Sequence, residues 1–246
     1  MLPQIFRIGV AMTIFKAGVI LGLTLVANYT YATGLSNIPA QPEKNVNIHL
    51  GKLPELDSST PLLDKALVKW KESQDKSASE CLASNPKKAT YRYDIETVYE
   101  NTQLVVFNVS GQYSCSGKPE KQSNFIYGIA FNKKTGEKLD LNQFYNLGQY
   151  HHKALYLKHQ VIPEVLKAYK DVNKVEDECL DSQVANTAFF ENHPYTLSFK
   201  ENGDVTLYFN PPSSMAACFD NLTLSKRVTQ PYKNQWFEKT FQIKDK

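Results

Sequence analysis

LVVFNVSGQYSCSGKPEKQSNFIYGIAFNKKTGEKLDLNQFY, residues 104–145, decides how the rest of the chain is read. Leu104 to Tyr113 is rich in β-branched and aromatic residues and reads as a strand. Ser114 to Ser123 is a polar loop carrying Cys115, and Asn124 to Phe131 reads as a second strand. Asn132-Lys133-Lys134-Thr135-Gly136 closes a turn in which Gly136 supplies a positive φ. Leu139 to Tyr145 then makes a short return that lowers Leu141 and Phe144 onto a core. The stretch holds no recognisable catalytic group. It predicts a sheet built from hairpins.

Upstream, Ala89 to Tyr99 reads as a strand with Tyr91, Tyr93, Ile95, Thr97 and Tyr99 on one face. Glu100-Asn101-Thr102-Gln103 turns it back into Leu104, and a tight turn there sets Cys115 level with position 88. Cys81 enters just before that point. Ahead of it, Ser58-Ser59-Thr60-Pro61 announces a helix with a hydroxyl cap and a first-turn proline. Leu62, Leu63, Ala66, Leu67 and Trp70 give that helix one apolar stripe, which fades towards Cys81. Asn45 to Leu53 alternates as a short amphipathic strand.

Downstream, a helical pattern starts at Gly148, with Leu155, Val161, Ile162, Val165, Leu166 and Tyr169 as its apolar face. Pro163 should kink or split it. Tyr195, Leu197 and Phe199 alternate into the turn pair Asn202-Gly203, and Val205, Leu207 and Phe209 alternate back. That hairpin sets Cys218 level with position 186, near Cys179. Leu222 and Leu224 suggest a last strand, and QWFEKTFQIKDK allows another through Phe237, Phe241 and Ile243. The expected fold is α+β: an antiparallel sheet built from hairpins and covered on one face by two helices.

The first residues read as a secretory signal, residues 1–32. Arg7 and Lys16 flank an uncharged run from Ala17 to Ala27, too short to span a bilayer, followed by Thr30-Tyr31-Ala32. Either Met1 or Met12 can serve as the start, and an uncleaved anchor is the alternative. Residues 33–44 read as a linker, 45–230 as a single domain, and 231–246 as a C-terminal tail. Removing residues 1–32 takes Arg7 and Lys16 but no acid, leaving 26 basic against 25 acidic residues. A nearly neutral chain lacks the electrostatic footprint of a nucleic-acid binder. The 14 Tyr and 13 Phe favour sheet over a helix bundle.

Cys81, Cys115, Cys179 and Cys218 form an even set behind a secretion signal, which points to two bridges. Three connectivities are open, and strand positions favour Cys81–Cys115 with Cys179–Cys218.

For chemistry, His151, His152 and His159 fall on the expected kinked helix, where His152 and His159 lie roughly 10 Å apart along the axis. That is too far for two ligands of one metal, and the HExxH arrangement is absent. No GxSxG elbow, SxxK box or glycine-rich phosphate loop occurs, and no cofactor motif is present. The chain therefore reads as non-enzymatic. The Cys115 loop is the first candidate binding surface, with Tyr113, Ser116, Lys118, Glu120 and Lys121 as its contact residues. The proline-stiffened segment from Asn210 to Met215 is a second.

GQYSCSGKPEKQSNFIYGIAFNKKTGEKLDLNQFY resembles the core of the RsiV-like domain family of bacterial secreted and cell-envelope proteins. The resemblance lies in a strand ending in a Tyr- and Gly-rich loop, a Thr-Gly turn, and the Leu-Asp-Leu segment after it. LSFKENGDVTLYFNPPSSMAACF is similar to the family's second hairpin, and VNIHLGKLPELDSSTPLLDKALVKW to the domain that commonly precedes it. Together they span about residues 45–225. The resemblance implies an α+β domain that acts by binding, with lysozyme or a peptidoglycan or envelope glycan as target. Where the family has a Gly-Gly-Ala-His-Pro-like loop, this chain has Cys115-Ser116-Gly117-Lys118-Pro119. An envelope hydrolase with a dispersed site and a purely structural module are the alternatives. The sequence leaves the oligomeric state open and predicts no membrane span after the signal is cleaved.

Overall fold

The computed structural model describes residues 48–118, 122–172, 187–210 and 221–243. Its centre is a five-stranded sheet in spatial order β1-β2-β3-β4-β5. These strands are β1 (Ile48–His49), β2 (Thr90–Glu100), β3 (Leu104–Ser114), β4 (Ser123–Asn132) and β5 (Lys138–Leu139). β2, β3, β4 and β5 pair antiparallel in chain order, whereas the two residues of β1 add to β2 in parallel. Gly136 has a φ of 70°, as the turn before β5 requires.

Thr90 stands opposite Ser114, which sets Cys115 level with Ala89, one residue from the expected register. The bridge Cys81–Cys115 forms there, with the two Cα atoms 4.8 Å apart. It ties β3 to the end of α1 (Pro61–Ser84), which starts where expected: Thr60 accepts from the Leu63 amide at 3.2 Å. The helix runs unbroken for 24 residues instead of fading before Cys81. Cys179 and Cys218 lie outside the described residues, so one bridge is seen where two were expected.

The register of β2 slips between Thr97 and Tyr99. One extra residue in a strand reverses side-chain parity beyond it. Tyr91 and Tyr93 therefore pack under α1 with Val105, Phe107 and Phe131, whereas Tyr99 joins the opposite core with Leu104 and Val106. The five residues expected on one face are thus divided between two. At the end of β2, Glu100 receives the Lys133 ammonium in an ion pair whose lysine side chain is 3 % exposed.

That opposite face is not covered by a second helix alone. A three-stranded antiparallel sheet lies there, made of β8 (Thr196–Phe199), β9 (Val205–Tyr208) and β10 (Leu222–Leu224) in the order β10-β9-β8. Its register sets Thr196 opposite Tyr208, as the Asn202-Gly203 turn predicts. The helices therefore lie on opposite faces of the central sheet, a correction to the expected cover of one face. α2 (Ile162–Val172) buries Ile162, Val165 and Tyr169 in the same core as Phe199, Leu207 and Leu224. β4 and β8 approach so closely that a side chain at Gly128 would meet the Leu197 carbonyl oxygen at 2.0 Å.

Gly148 to Leu157 is not helical. It forms a hairpin of β6 (Gly148–His151) and β7 (Ala154–Leu157). α2 begins only at Ile162, which places Pro163 in the first turn, where a proline breaks no internal hydrogen bond and causes no kink. α3 (Thr187–Asn192) precedes β8, and Phe190 enters the core there. After α4 (Lys226–Thr229), the last segment is α5 (Gln235–Thr240) in place of a strand. Phe241 and Ile243 are buried in the core beyond it, so residues 235–243 are part of the packed fold.

Candidate functional site

β5 pairs with β4 only at Ala130 and Phe131, so among the described residues the outer edge of β4 has no partner strand over most of its length. At Ile126, the Asn210 side chain substitutes for one. Its Oδ1 accepts from the Ile126 amide at 2.7 Å, and its Nδ2 donates to the Ile126 carbonyl at 2.8 Å. A cleft of about 1250 Å3 runs along this edge. Its walls come from the loop end at Gln122, the β5 segment, the β6–β7 hairpin, and the chain on either side of β8.

The hairpin is held in place from its base. The Asn142 side chain accepts from the Gly148 amide at 3.0 Å and donates to the Gly148 carbonyl at 3.2 Å. Farther along, Tyr150 donates its hydroxyl to Asp140 Oδ1 at 2.7 Å, and that oxygen also accepts from the Asn142 amide. The Tyr150 ring remains 55 % exposed on the cleft wall. Burial, and then the Asp140 acceptor, push its hydroxyl pKa up. Tyr195 also lines the cleft, 3 % exposed; its hydroxyl is buried with no hydrogen-bond partner among the described residues and has its pKa raised by burial.

The hairpin turns through His152 and Lys153, with φ of 47° and 68°. Two positive values at the centre of a two-residue hairpin turn are the signature usually carried by Asn-Gly. A residue with a full side chain there costs on the order of 1 kcal/mol or more. Lys153 lines the cleft from this turn, and Lys138 lines it from β5. His193 is also on the wall, stacked on Phe189 at 4.1 Å, and burial lowers its pKa. Among the described residues, the cleft thus offers an exposed aromatic face, amide side chains, two ammonium groups and one carboxylate that is already hydrogen-bonded.

The Cys115 loop is spent largely on its own structure. Ser84 and Asn85, at the end of α1, donate to the carbonyls of Cys115 and Ser116 at 2.8 and 3.0 Å. The Ser116 hydroxyl accepts from the Lys118 amide at 3.3 Å, and the Lys118 carbonyl accepts from Ser114 at 3.1 Å. The Lys118 side chain is exposed. Tyr113 stacks on Tyr91 at 5.6 Å and borders the cleft. Glu120 and Lys121 lie outside the described residues, as do positions 211–215 of the second candidate surface.

His152 and His159 do not share a helix face. His152 sits in the hairpin turn, and His159 is in a 3-10 turn with Nδ1 2.7 Å from Glu191 Oε1. Among the described residues, no three His, Cys, Asp or Glu side chains come together to hold a metal ion. The same residues contain no helix long and apolar enough to cross a membrane.

No family model matches the chain, and no curated protein does. Solved structures of a bacterial family do. One is a DUF3298 family protein from Pseudomonas aeruginosa PAO1, 15 % identical, with a TM-score of 0.32 over 59 % of this chain and 62 % of that one. Another is a member of the same family from Bacteroides fragilis NCTC 9343, 11 % identical, with a TM-score of 0.37 over 70 % of this chain and 66 % of that one. The chain spans less than two thirds of the length of either.

Proposed function

We propose that this protein is a secreted or periplasmic, non-enzymatic binding protein that takes an envelope glycan in the cleft along β4. The observation that carries this reading is the Tyr150 ring, 55 % exposed and tethered through its hydroxyl to Asp140 on the wall of an open cleft. A fixed aromatic face suits the apolar face of a sugar ring, since little side-chain freedom is lost on binding. Gln122 and Asn124 add side-chain amides that match sugar hydroxyl and acetamido groups, whereas those of Asn142 and Asn210 hold Gly148 and Ile126. At about 1250 Å3 the cleft exceeds the roughly 300–1,000 Å3 of a drug-sized pocket, which suits a short chain of sugars. The bridge Cys81–Cys115 and the signal-like residues 1–32 support an oxidising compartment outside the cytoplasm.

Titration calorimetry of the protein with soluble peptidoglycan glycan fragments, and separately with lysozyme, tests the proposal. The fragments should bind, and Tyr150→Ala should weaken them about tenfold or more while leaving the circular dichroism spectrum unchanged. Binding of lysozyme alone, undiminished in Tyr150→Ala, would sink the glycan reading in favour of a protein target.

A further inference from the structure

The β6–β7 hairpin keeps a turn that its own residues disfavour. His152 and Lys153 both adopt positive φ, where Asn-Gly would sit without strain. What the unfavourable residue provides is a lysine on the cleft wall. Lys138 provides a second from β5. Neither lysine has an ion-pair or hydrogen-bond partner among the described residues, and both are exposed.

The opposing charge among the described lining residues is a single carboxylate. It is that of Asp140, whose Oδ1 accepts from the Tyr150 hydroxyl and the Asn142 amide. The remaining titratable imidazole, His193, has its pKa lowered by burial, so it adds no charge at neutral pH. A ligand therefore meets two unspent ammonium groups against one hydrogen-bonded carboxylate, beside an aromatic face. A neutral sugar chain would leave both unpaired, whereas a chain bearing carboxylates would use them.

We propose that the cleft selects an acidic glycan, with Lys153 and Lys138 pairing a carboxylate substituent while Tyr150 stacks on a sugar ring. The selection rests on the reading of the cleft as a glycan site. An ammonium–carboxylate pair at an open cleft is partly screened, so the preference should be modest at physiological salt and larger below it.

Calorimetry at low ionic strength with two probes tests this. One is a short N-acetylglucosamine oligomer; the other is a chain of equal length in which alternate sugars carry a lactyl carboxylate. The carboxylated chain should bind about tenfold more tightly, and the advantage should shrink as salt is added. Lys153→Met and Lys138→Met should each remove most of the preference, and Lys153→Arg should keep it. Exchanging His152-Lys153 for Asn-Gly should raise the thermal midpoint while lowering the preference, a combination that a purely structural lysine would not produce. Equal affinity for the two chains, or a preference that survives Lys153→Met, overturns the acidic-glycan proposal and leaves the glycan reading intact. Failure of both chains to bind overturns both.

Discussion

His193 couples the cleft to pH. Its imidazole stacks on Phe189 at 4.1 Å, and burial holds its pKa below the ordinary value of 6.5. Above about pH 6.5 the ring is neutral in the folded and unfolded chain alike, so it leaves stability unchanged. As the pH falls below that value, the unfolded chain takes up a proton that the folded chain refuses. His193 therefore costs the fold nothing well above pH 6.5 and destabilises it increasingly as the pH drops towards the lower folded value. Urea midpoints measured across that window should fall for the wild-type protein and fall less steeply for His193→Gln. Identical slopes would show that the ring is not desolvated as described. Asp75 acts in a lower window. Burial raises its pKa, but hydrogen bonds from Lys71 and Tyr93 outweigh this and leave it below 3.8, so its contribution is lost only as the pH falls past that value.

Among the elements, the bridge Cys81–Cys115 ties α1, β3 and the polar loop together. It closes a segment with a sequence separation of 34, which in the chain-entropy model is worth about 3–4 kcal/mol. Replacing both cysteines by serine should lower the unfolding free energy by about that amount in urea titrations, and a loss under about 1 kcal/mol would mean that Ser84 and Asn85 hold the loop unaided. This bridge can be anticipated because the turn between β2 and β3 is short and the pairing beyond it runs to Thr90 and Ser114. The β8–β9 hairpin was equally legible, since Asn202-Gly203 states its turn chemistry outright. The β6–β7 hairpin was not. Leu155, Val161, Ile162 and Val165 fit a helical spacing, and His152-Lys153 gives no turn signal, so the sequence favours the helical period over the strand one. The slip before Tyr99 was hidden for a similar reason, because no glycine or proline marks it. Lys138, Asp140, Tyr150, Lys153, His193 and Tyr195 carry no shared spacing at all; they meet only through tertiary packing. One partial signal existed at Asn210, at the start of the second candidate surface, which does reach the cleft.

At the scale of the whole molecule, β3 is the strand on which both cores depend. Val105, Phe107 and Val109 face the core under α1, whereas Leu104 and Val106 face the core shared with β8, β9 and α2. A sheet buried on both faces cannot release one layer without exposing the backs of its own residues to water. At about 25 cal/mol per Å2 of apolar area, such exposure penalises half-unfolded states heavily. The two cores should therefore melt as one transition. The protein's two tryptophans report on them separately. Trp70 stacks on Phe107 at 6.3 Å against the first core, and Trp236, itself 64 % exposed, contacts Phe237 at 4.8 Å, which packs on Phe144 of the second. Trp236→Phe leaves Trp70 as the single indole, and Trp70→Phe leaves Trp236. Thermal melts followed by fluorescence should coincide with far-ultraviolet circular dichroism in each variant, although Trp70→Phe should melt at a lower temperature because it trims the core under α1. A fluorescence transition that precedes the circular dichroism transition in either variant would mean that its layer unfolds alone, and that β3 does not couple the two cores.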